Sequence, residues 1–245
     1  EPLLRRMALQ QAQIRQDQEK LEKNSQIRQE FTANVSHELK TPLHAISGYA
    51  ELMENGMVKQ QDIRPFANKI RQEALRLTAL VEDIINLTRL DGGAAGMQRQ
   101  SVDLYRIAEN AVDSLQSEAA EADVTLTLRG ESAVVDGIPP VLYSMIFNLC
   151  DNAIKYNRTG GSVKVQVSNY PEDIRITVAD TGIGIPEESR ERIFERFYRV
   201  DKSRSKEVGG TGLGLSIVKH AAMIHHAKIQ MDSVTGKGTT FTVVF

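Results

Sequence analysis

The chain has 245 residues, 41% hydrophobic and 25% charged, with a formal net charge of −2. That is room for two modest domains, and it lacks the global charge that marks a binder of nucleic acid or anionic membrane. The single cysteine, Cys150, excludes an internal disulfide, and no run of 18 apolar residues offers a membrane span. No signal peptide is visible. Because the chain starts at Glu1 without Met and already in a helical pattern, it is expected to be an excised piece of a longer protein.

Residues 1–30 are rich in Gln, Glu, Lys and Arg and contain no Gly. Met7, Ile14, Leu21 and Arg28 repeat every seven residues over polar companion positions, which predicts a weak coiled-coil helix. The pattern runs unbroken into Phe31. From there to Met53 the residues Val35, Leu39, Pro42, Ile46 and Met53 form one apolar face. With Val35 at zero, His37 falls at about 200°, nearly opposite that face. Thr41 and His44 share its outer side and Glu38 lies on the flank. A solvent-facing imidazole, neutral near pH 7, is a candidate nucleophile. Pro42 removes a backbone donor and is expected to bend or loosen the helix; whether as a hinge or a tolerated kink stays open. Asn55-Gly56 ends the helix. Ile63, Phe66, Ile70, Leu77 and Ile84 then mark a second one, about 62–90. A hairpin of two helices buries little alone, so two copies are expected to pair into a four-helix bundle, making a homodimer.

Residues 92–96 read as a linker. After it the periods alternate. Strands are predicted at 97–102, 124–128, 162–169, 173–179, 228–233 and 239–244, and helices at 104–122, 139–155, 186–194 and 213–226. The mixture predicts an α/β sandwich with helices on one face of a sheet. Cys150 falls in an apolar helical pattern and is assigned to packing. Asp180–Pro186 (DTGIGIP) leaves a strand, and Gly209–Gly214 (GGTGLG) opens a helix. Glycines there permit close backbone approach to a ligand, and the helix start favours phosphate. The Gly209–Gly214 loop has neither Walker nor dinucleotide-binding spacing. The polar stretch 194–213, with Lys202, Ser203, Arg204, Ser205 and Lys206, reads as a mobile lid. His220, His225 and His226 have no ligand-spaced partners, so a metal site there is not expected.

Several stretches together carry a resemblance. SHELKTPL, around His37, resembles the phosphoacceptor box of bacterial sensor histidine kinases. Asn148–Tyr156 (NLCDNAIKY) resembles that family's N box and Asp180–Pro186 its G1 box. Ile193–Asp201 (IFERFYRVD) resembles the F box, Gly210–Leu215 (GTGLGL) the G2 box and Gly236–Thr240 (GKGTT) the last glycine box. The likeness covers residues 31–245, without departure at the core motif positions.

The resemblance implies an α+β protein in four parts. These are a signalling helix (1–30), a dimerising phosphotransfer hairpin (31–91), the linker (92–96) and a gyrase- and heat-shock-like ATP-binding sandwich (97–245). It implies an autokinase in which His37 attacks the γ-phosphoryl of Mg–ATP. Glu38 acts as base or orienting carboxylate, and Arg199 offsets phosphoryl charge. Asn148 and Asn152 are the implied Mg2+ ligands, Lys155 a phosphate contact and Tyr156 a neighbour of the nucleotide. Asp180 accepts from the adenine amino group. Gly182, Gly184, Gly210, Thr211, Gly212, Leu213, Gly214 and Thr240 complete the nucleotide loops. The phosphoryl group is expected to pass to an aspartate of a response-regulator receiver domain, with Thr41 positioning water for the reverse hydrolysis. Direct nucleic-acid binding is not expected. Attachment to the cytoplasmic face of a membrane is implied only through a segment upstream of Glu1. Two rival classes share features: a clamp-type ATPase, which lacks a histidine hairpin, and a degenerate scaffold, which would not bind ATP.

Overall fold

The computed structural model describes residues 2–93, 96–200 and 210–245. By its internal contacts the chain forms two compact units, Glu1–Thr78 and Ala79–Phe245.

The first unit holds helix α1 (Pro2–Glu54), a 3-10 turn (Gln60–Asp62) and the start of helix α2 (Ile63–Asp91). The side chains of Met7, Ile14 and Leu21, on which the heptad rests, lie outside the described residues. Pro42 sits buried inside an uninterrupted helix. It cannot donate to the Glu38 carbonyl. One residue earlier, the Thr41 hydroxyl donates to the His37 carbonyl at 3.1 Å, an extra bond at the weakened turn. Gly56, at φ +67°, closes α1, and Met57 N–H reaches back to the Leu52 carbonyl at 3.0 Å. That is the left-handed glycine cap expected of Asn55-Gly56. Tyr49 meets Phe66 edge to face across the hairpin, ring centroids 5.5 Å apart. Pro42 is the only buried residue of this unit among the described residues, while Leu43 and Leu75 are more than half exposed.

The second unit takes in the last turns of α2, where Leu80, Leu87 and Leu90 are buried. Strand β1 (Gln100–Asp103) pairs antiparallel with β3 (Val134–Gly137). Between them lie α3 (Leu104–Ser114), α4 (Gln116–Glu121) and β2 (Thr125–Gly130). The single helix expected over 104–122 is thus two, broken at Leu115, which turns into the core at 1% exposure. Asp103 caps α3 by accepting from Tyr105 N–H at 3.0 Å.

Helix α5 (Pro139–Lys155) has the bounds read from the sequence. Pro139 and Pro140 start it, where missing donors cost nothing. Strands β4 (Ser162–Asn169), β5 (Ile174–Asp180), β6 (Lys228–Val234) and β7 (Gly238–Val244) join β2 in a five-stranded sheet of order β2-β4-β5-β7-β6. The β2–β4 pair is parallel and the others antiparallel. Val163, Val165 and Val167 of β4 alternate with exposed residues and pair in register with Asp180, Val178 and Ile176. That face is covered by α5, and α5 in turn packs against α3 and helix α6 (Gly214–Ile224). Residues 186–194, expected to be helical, form two 3-10 turns, Glu187–Ser189 and Arg192–Phe194. Cys150 is fully buried in α5, and its surroundings push the thiol up to about 12, so it packs rather than reacts.

Candidate functional site

His37 stands on α1 with its side chain 81% exposed. Its Nδ1 is 3.9 Å from Glu38 Oε1, and the other Glu38 oxygen is 3.9 Å from Arg76 on α2. The carboxylate is therefore steadied from α2 while it faces the ring. Thr41 and His44 are exposed, as the helical angles predict.

In the second unit a cavity of about 970 Å³ opens beside α5. This is the size of a small-molecule cleft. Asn148, Asn152, Lys155 and Tyr156 line it from α5 and its end, Asp180 from the end of β5, and Arg199 from the following loop. Gly184, Gly210, Gly212 and Gly214 contribute backbone, and Thr211 stands among them. From α2 come Ala79, Glu82, Asp83 and Asn86.

The sheet's period of two turns Asp180 inward, in line with Ile176 and Val178. One carboxylate oxygen accepts from Gly182 N–H at 2.7 Å and from Thr239 N–H at 3.2 Å. Burial pushes this carboxyl above its ordinary range, and the two N–H bonds pull part of the way back. An anchored carboxylate with one oxygen outside these bonds can read a hydrogen-bond donor on a planar ligand.

Two glycines are required by close approach. A Cβ on Gly184, at φ +67°, would lie 2.2 Å from the Val234 carbonyl oxygen. At Gly214, the first residue of α6, it would lie 2.7 Å from Asn148 Oδ1 and 3.2 Å from Asn152 Nδ2. The absent side chain thus brings a helix N-terminus against both amides. Asn148 donates its amide N–H to the Ser144 carbonyl at 2.8 Å, which leaves its oxygen on the α6 side. The positive helix end suits a phosphate, and the Asn148 amide oxygen beside it suits a divalent ion carried by that phosphate. Among the described residues no cluster of three or more His, Cys, Asp and Glu could hold a metal by itself.

Three sequence-assigned residues sit differently. Thr240 pairs with Ala179 on the opposite face of the sheet, and its neighbour Thr239 lines the cavity instead. Leu213 is fully buried beneath the loop, and Gly182 acts through its N–H on Asp180 rather than on the cavity wall. Residues 202–206, read as a lid, lie outside the described residues. Their two flanks meet: Phe197, at φ +62°, donates its N–H to the Gly212 carbonyl at 2.8 Å.

His225 is 7% exposed; its Nε2 accepts from Ile138 N–H at 2.9 Å and its Nδ1 lies 2.7 Å from the Ala221 carbonyl. It clamps α6 to the start of α5. His220 has its Nδ1 2.8 Å from the Ser216 carbonyl. Asp83, Asp151 and Thr239 also reach the cavity wall without having been singled out in the sequence.

Comparison with known proteins assigns both regions. Residues 27–93 match the His Kinase A (phospho-acceptor) domain, and residues 137–245 match the histidine kinase-, DNA gyrase B-, and HSP90-like ATPase. The sensor-like histidine kinase SenX3 of Mycolicibacterium smegmatis is 40% identical over 217 residues, 88% of this chain and 56% of the relative. The sensor histidine kinase WalK of Bacillus subtilis is 36% identical over 225 residues, 90% of this chain and 37% of its own length. The chain therefore spans about half the length, or less, of these relatives. Among solved structures, the Acinetobacter baumannii histidine kinase AdeS superposes with TM-score 0.69 at 22% identity, covering 85% of this chain and 96% of its own. ShkA, solved full-length in complex with AMPPNP, gives TM-score 0.62 at 26% identity over 88% of this chain and 45% of its own.

Proposed function

Because this chain belongs to the sensor histidine kinase family, we propose that it is an ATP-dependent autokinase that phosphorylates His37. The observation that carries the reading is the pairing, in one chain, of an 81% exposed imidazole flanked by a carboxylate with a glycine-walled cleft holding the anchored Asp180. The AMPPNP bound by ShkA is an ATP-like ligand, and the donor set of this cleft fits one. Asp180 would accept from the adenine amino group, which selects against guanine, and Tyr156 lies beside it. The N-terminus of α6 and Lys155 would face the phosphates.

In the transfer, a lone pair on His37 attacks the γ-phosphorus, a nitrogen–phosphorus bond forms, and the bond to the bridging oxygen of ADP breaks. Glu38, whose carboxylate lies 3.9 Å from Nδ1, would orient the ring so that Nε2 is the attacking nitrogen. Arg199 offsets charge on the moving phosphoryl group. Mg2+ would be held by the amide oxygens of Asn148 and Asn152 together with phosphate oxygens, and would supply charge neutralisation.

The further partners follow from the same reading. The half-exposed leucines of the hairpin support pairing with a second copy into a four-helix bundle. The phosphohistidine donates to a receiver-domain aspartate, and Thr41, one turn from His37, serves the opposing phosphatase reaction. No helix among the described residues is long and apolar enough to cross a membrane. Attachment at the cytoplasmic face through an upstream segment belongs to the proposal, as does the four-part division at residues 30, 91 and 96.

Incubation with γ-labelled ATP and Mg2+ tests the core of this. Protein-bound label that survives base, is lost in acid and is missing from His37→Ala supports it. Acid-stable label, or label kept in His37→Ala, overturns it. Steady ATP turnover without protein label would favour a clamp-type ATPase.

A further inference from the structure

In the structure, a nucleotide-loop hydroxyl and the expected phosphate contact are both already engaged by carboxylates. Thr211, in the glycine loop at the start of α6, donates its hydroxyl to Asp83 Oδ2 at 2.6 Å. The same hydroxyl oxygen accepts from Leu213 N–H at 3.2 Å, so Asp83 reaches the loop's hydrogen-bond system. Lys155 Nζ is bound to Asp151 at 2.7 Å. Asp83 belongs to α2, not to the nucleotide motifs, and its half-buried carboxylate lines the cavity. Eight residues on, about 12 Å along the helix, Asp91 Oδ1 accepts from Arg196 Nη2 at 2.6 Å and lies 3.2 Å from His220 Nε2. Arg196 directly precedes Phe197, whose N–H is bonded to Gly212, next to Thr211. The same few turns of α2 therefore hold the loop system at two points, each through a carboxylate.

A carboxylate at this place has no donor to offer a triphosphate. Two anions facing each other across a cleft repel, and more strongly in a half-buried wall than in bulk water. Asp83 owes its position to the seating of α2, which Asp91 fastens from the next turns.

We propose that the end of α2 is an internal brake on nucleotide binding: Asp83, docked on Thr211, holds the phosphate end of the cleft against a triphosphate, and Asp91 keeps the helix seated through Arg196 and His220. The inference rests on the nucleotide-cleft reading above. The brake gives α2 a direct hold on affinity for ATP. Any unseating of the helix withdraws the carboxylate and exposes the Thr211 hydroxyl.

Equilibrium binding of a fluorescent ATP analogue to the full chain, with unlabelled ATP in competition, tests it in wild type, Asp83→Asn and Asp91→Asn. Asn at position 83 keeps the shape and an acceptor for Thr211 but removes the charge. We expect Asp83→Asn to bind about tenfold more tightly, as loss of one partly screened like-charge contact predicts. Asp91→Asn, outside the cleft, is expected to tighten binding about threefold by loosening the helix. Equal or weaker binding in Asp83→Asn overturns the brake; weaker binding would make Asp83 a partner of the magnesium nucleotide. Unchanged affinity in Asp91→Asn overturns the fastening. Binding in none of the three proteins would instead overturn the nucleotide-cleft reading, whereas binding that emerges only in Asp83→Asn supports the brake.

Discussion

Asp180→Asn separates recognition from folding. One carboxylate oxygen holds two backbone donors, Gly182 at 2.7 Å and Thr239 at 3.2 Å. An asparagine keeps both bonds only by placing its amide oxygen there. Its NH2 group must then occupy the other position, which is the one offered to the ligand. An acceptor becomes a donor facing the adenine amino group. Losing a charge-assisted hydrogen bond costs about 1.5–3 kcal/mol, and leaving a buried donor without a partner costs about 1–3 kcal/mol more. The sum, about 2.5–6 kcal/mol, weakens ATP binding by a factor on the order of 10²–10⁴. The fold should be untouched, because the backbone bonds survive and an incompletely solvated charge is gone. The same swap favours a purine with a carbonyl at that edge, so the GTP-to-ATP affinity ratio should rise. Titration calorimetry with both nucleotides measures this. A pH series adds a second reading. Burial raises the Asp180 pKa, and only the ionised form accepts without competing protonation. Wild-type affinity should therefore fall as pH drops toward that raised value, and the variant should not share this fall. An ATP Kd within threefold of wild type would refute the base-reading role.

Two further outcomes are expected. Thr41→Ala should keep most autophosphorylation and lose dephosphorylation of a phosphorylated receiver partner, assayed with purified regulator; retained phosphatase activity removes that role. His225→Gln should cost about 1–3 kcal/mol near neutral pH, because Ile138 N–H loses its acceptor. Burial lowers the His225 pKa from its ordinary 6.5, so this histidine's contribution is present above that value and lost as pH falls through the lower folded one. Thermal melts at pH 7.5 and pH 5 should show the gap between wild type and variant closing in acid; a constant gap refutes the clamp.

Elements with a long, consistent period were legible from sequence, and those set by neighbours were not. Helix α5 carries two prolines at its start and eight buried residues along its length, and its predicted bounds stand. Strand β3, four residues long, was missed because its exposed Val134 and buried Val135 are ordered by pairing with β1, which no local pattern announces. The break at Leu115 was missed for the opposite reason. The apolar stripe continues across it, and only packing makes the chain turn there. In the β7 segment the boxed motif drew attention to Thr240, whereas the strand's alternation, anchored by Phe241 and Val243, turns Thr239 to the helix side. Counting back by two from those buried residues would have found it.

Asp83 and Asp91 mark a deeper limit. Within α2, Asp83 is three residues after Leu80 and four before Leu87, and Asp91 is four after Leu87, so both share the side of those buried leucines, and no local motif marks either. Their meaning comes from residues more than 100 positions away: Thr211 for one, Arg196 and His220 for the other. Two carboxylates set among the buried leucines of α2 are, in the folded second unit, acceptors for residues of other elements. The nucleotide motifs were legible because each carries its chemistry within a few residues. A control element need not, since it must act on a site without belonging to it. Substitutions of such carboxylates should therefore change how tightly the cleft holds its ligand while leaving intact every residue by which the cleft is recognised.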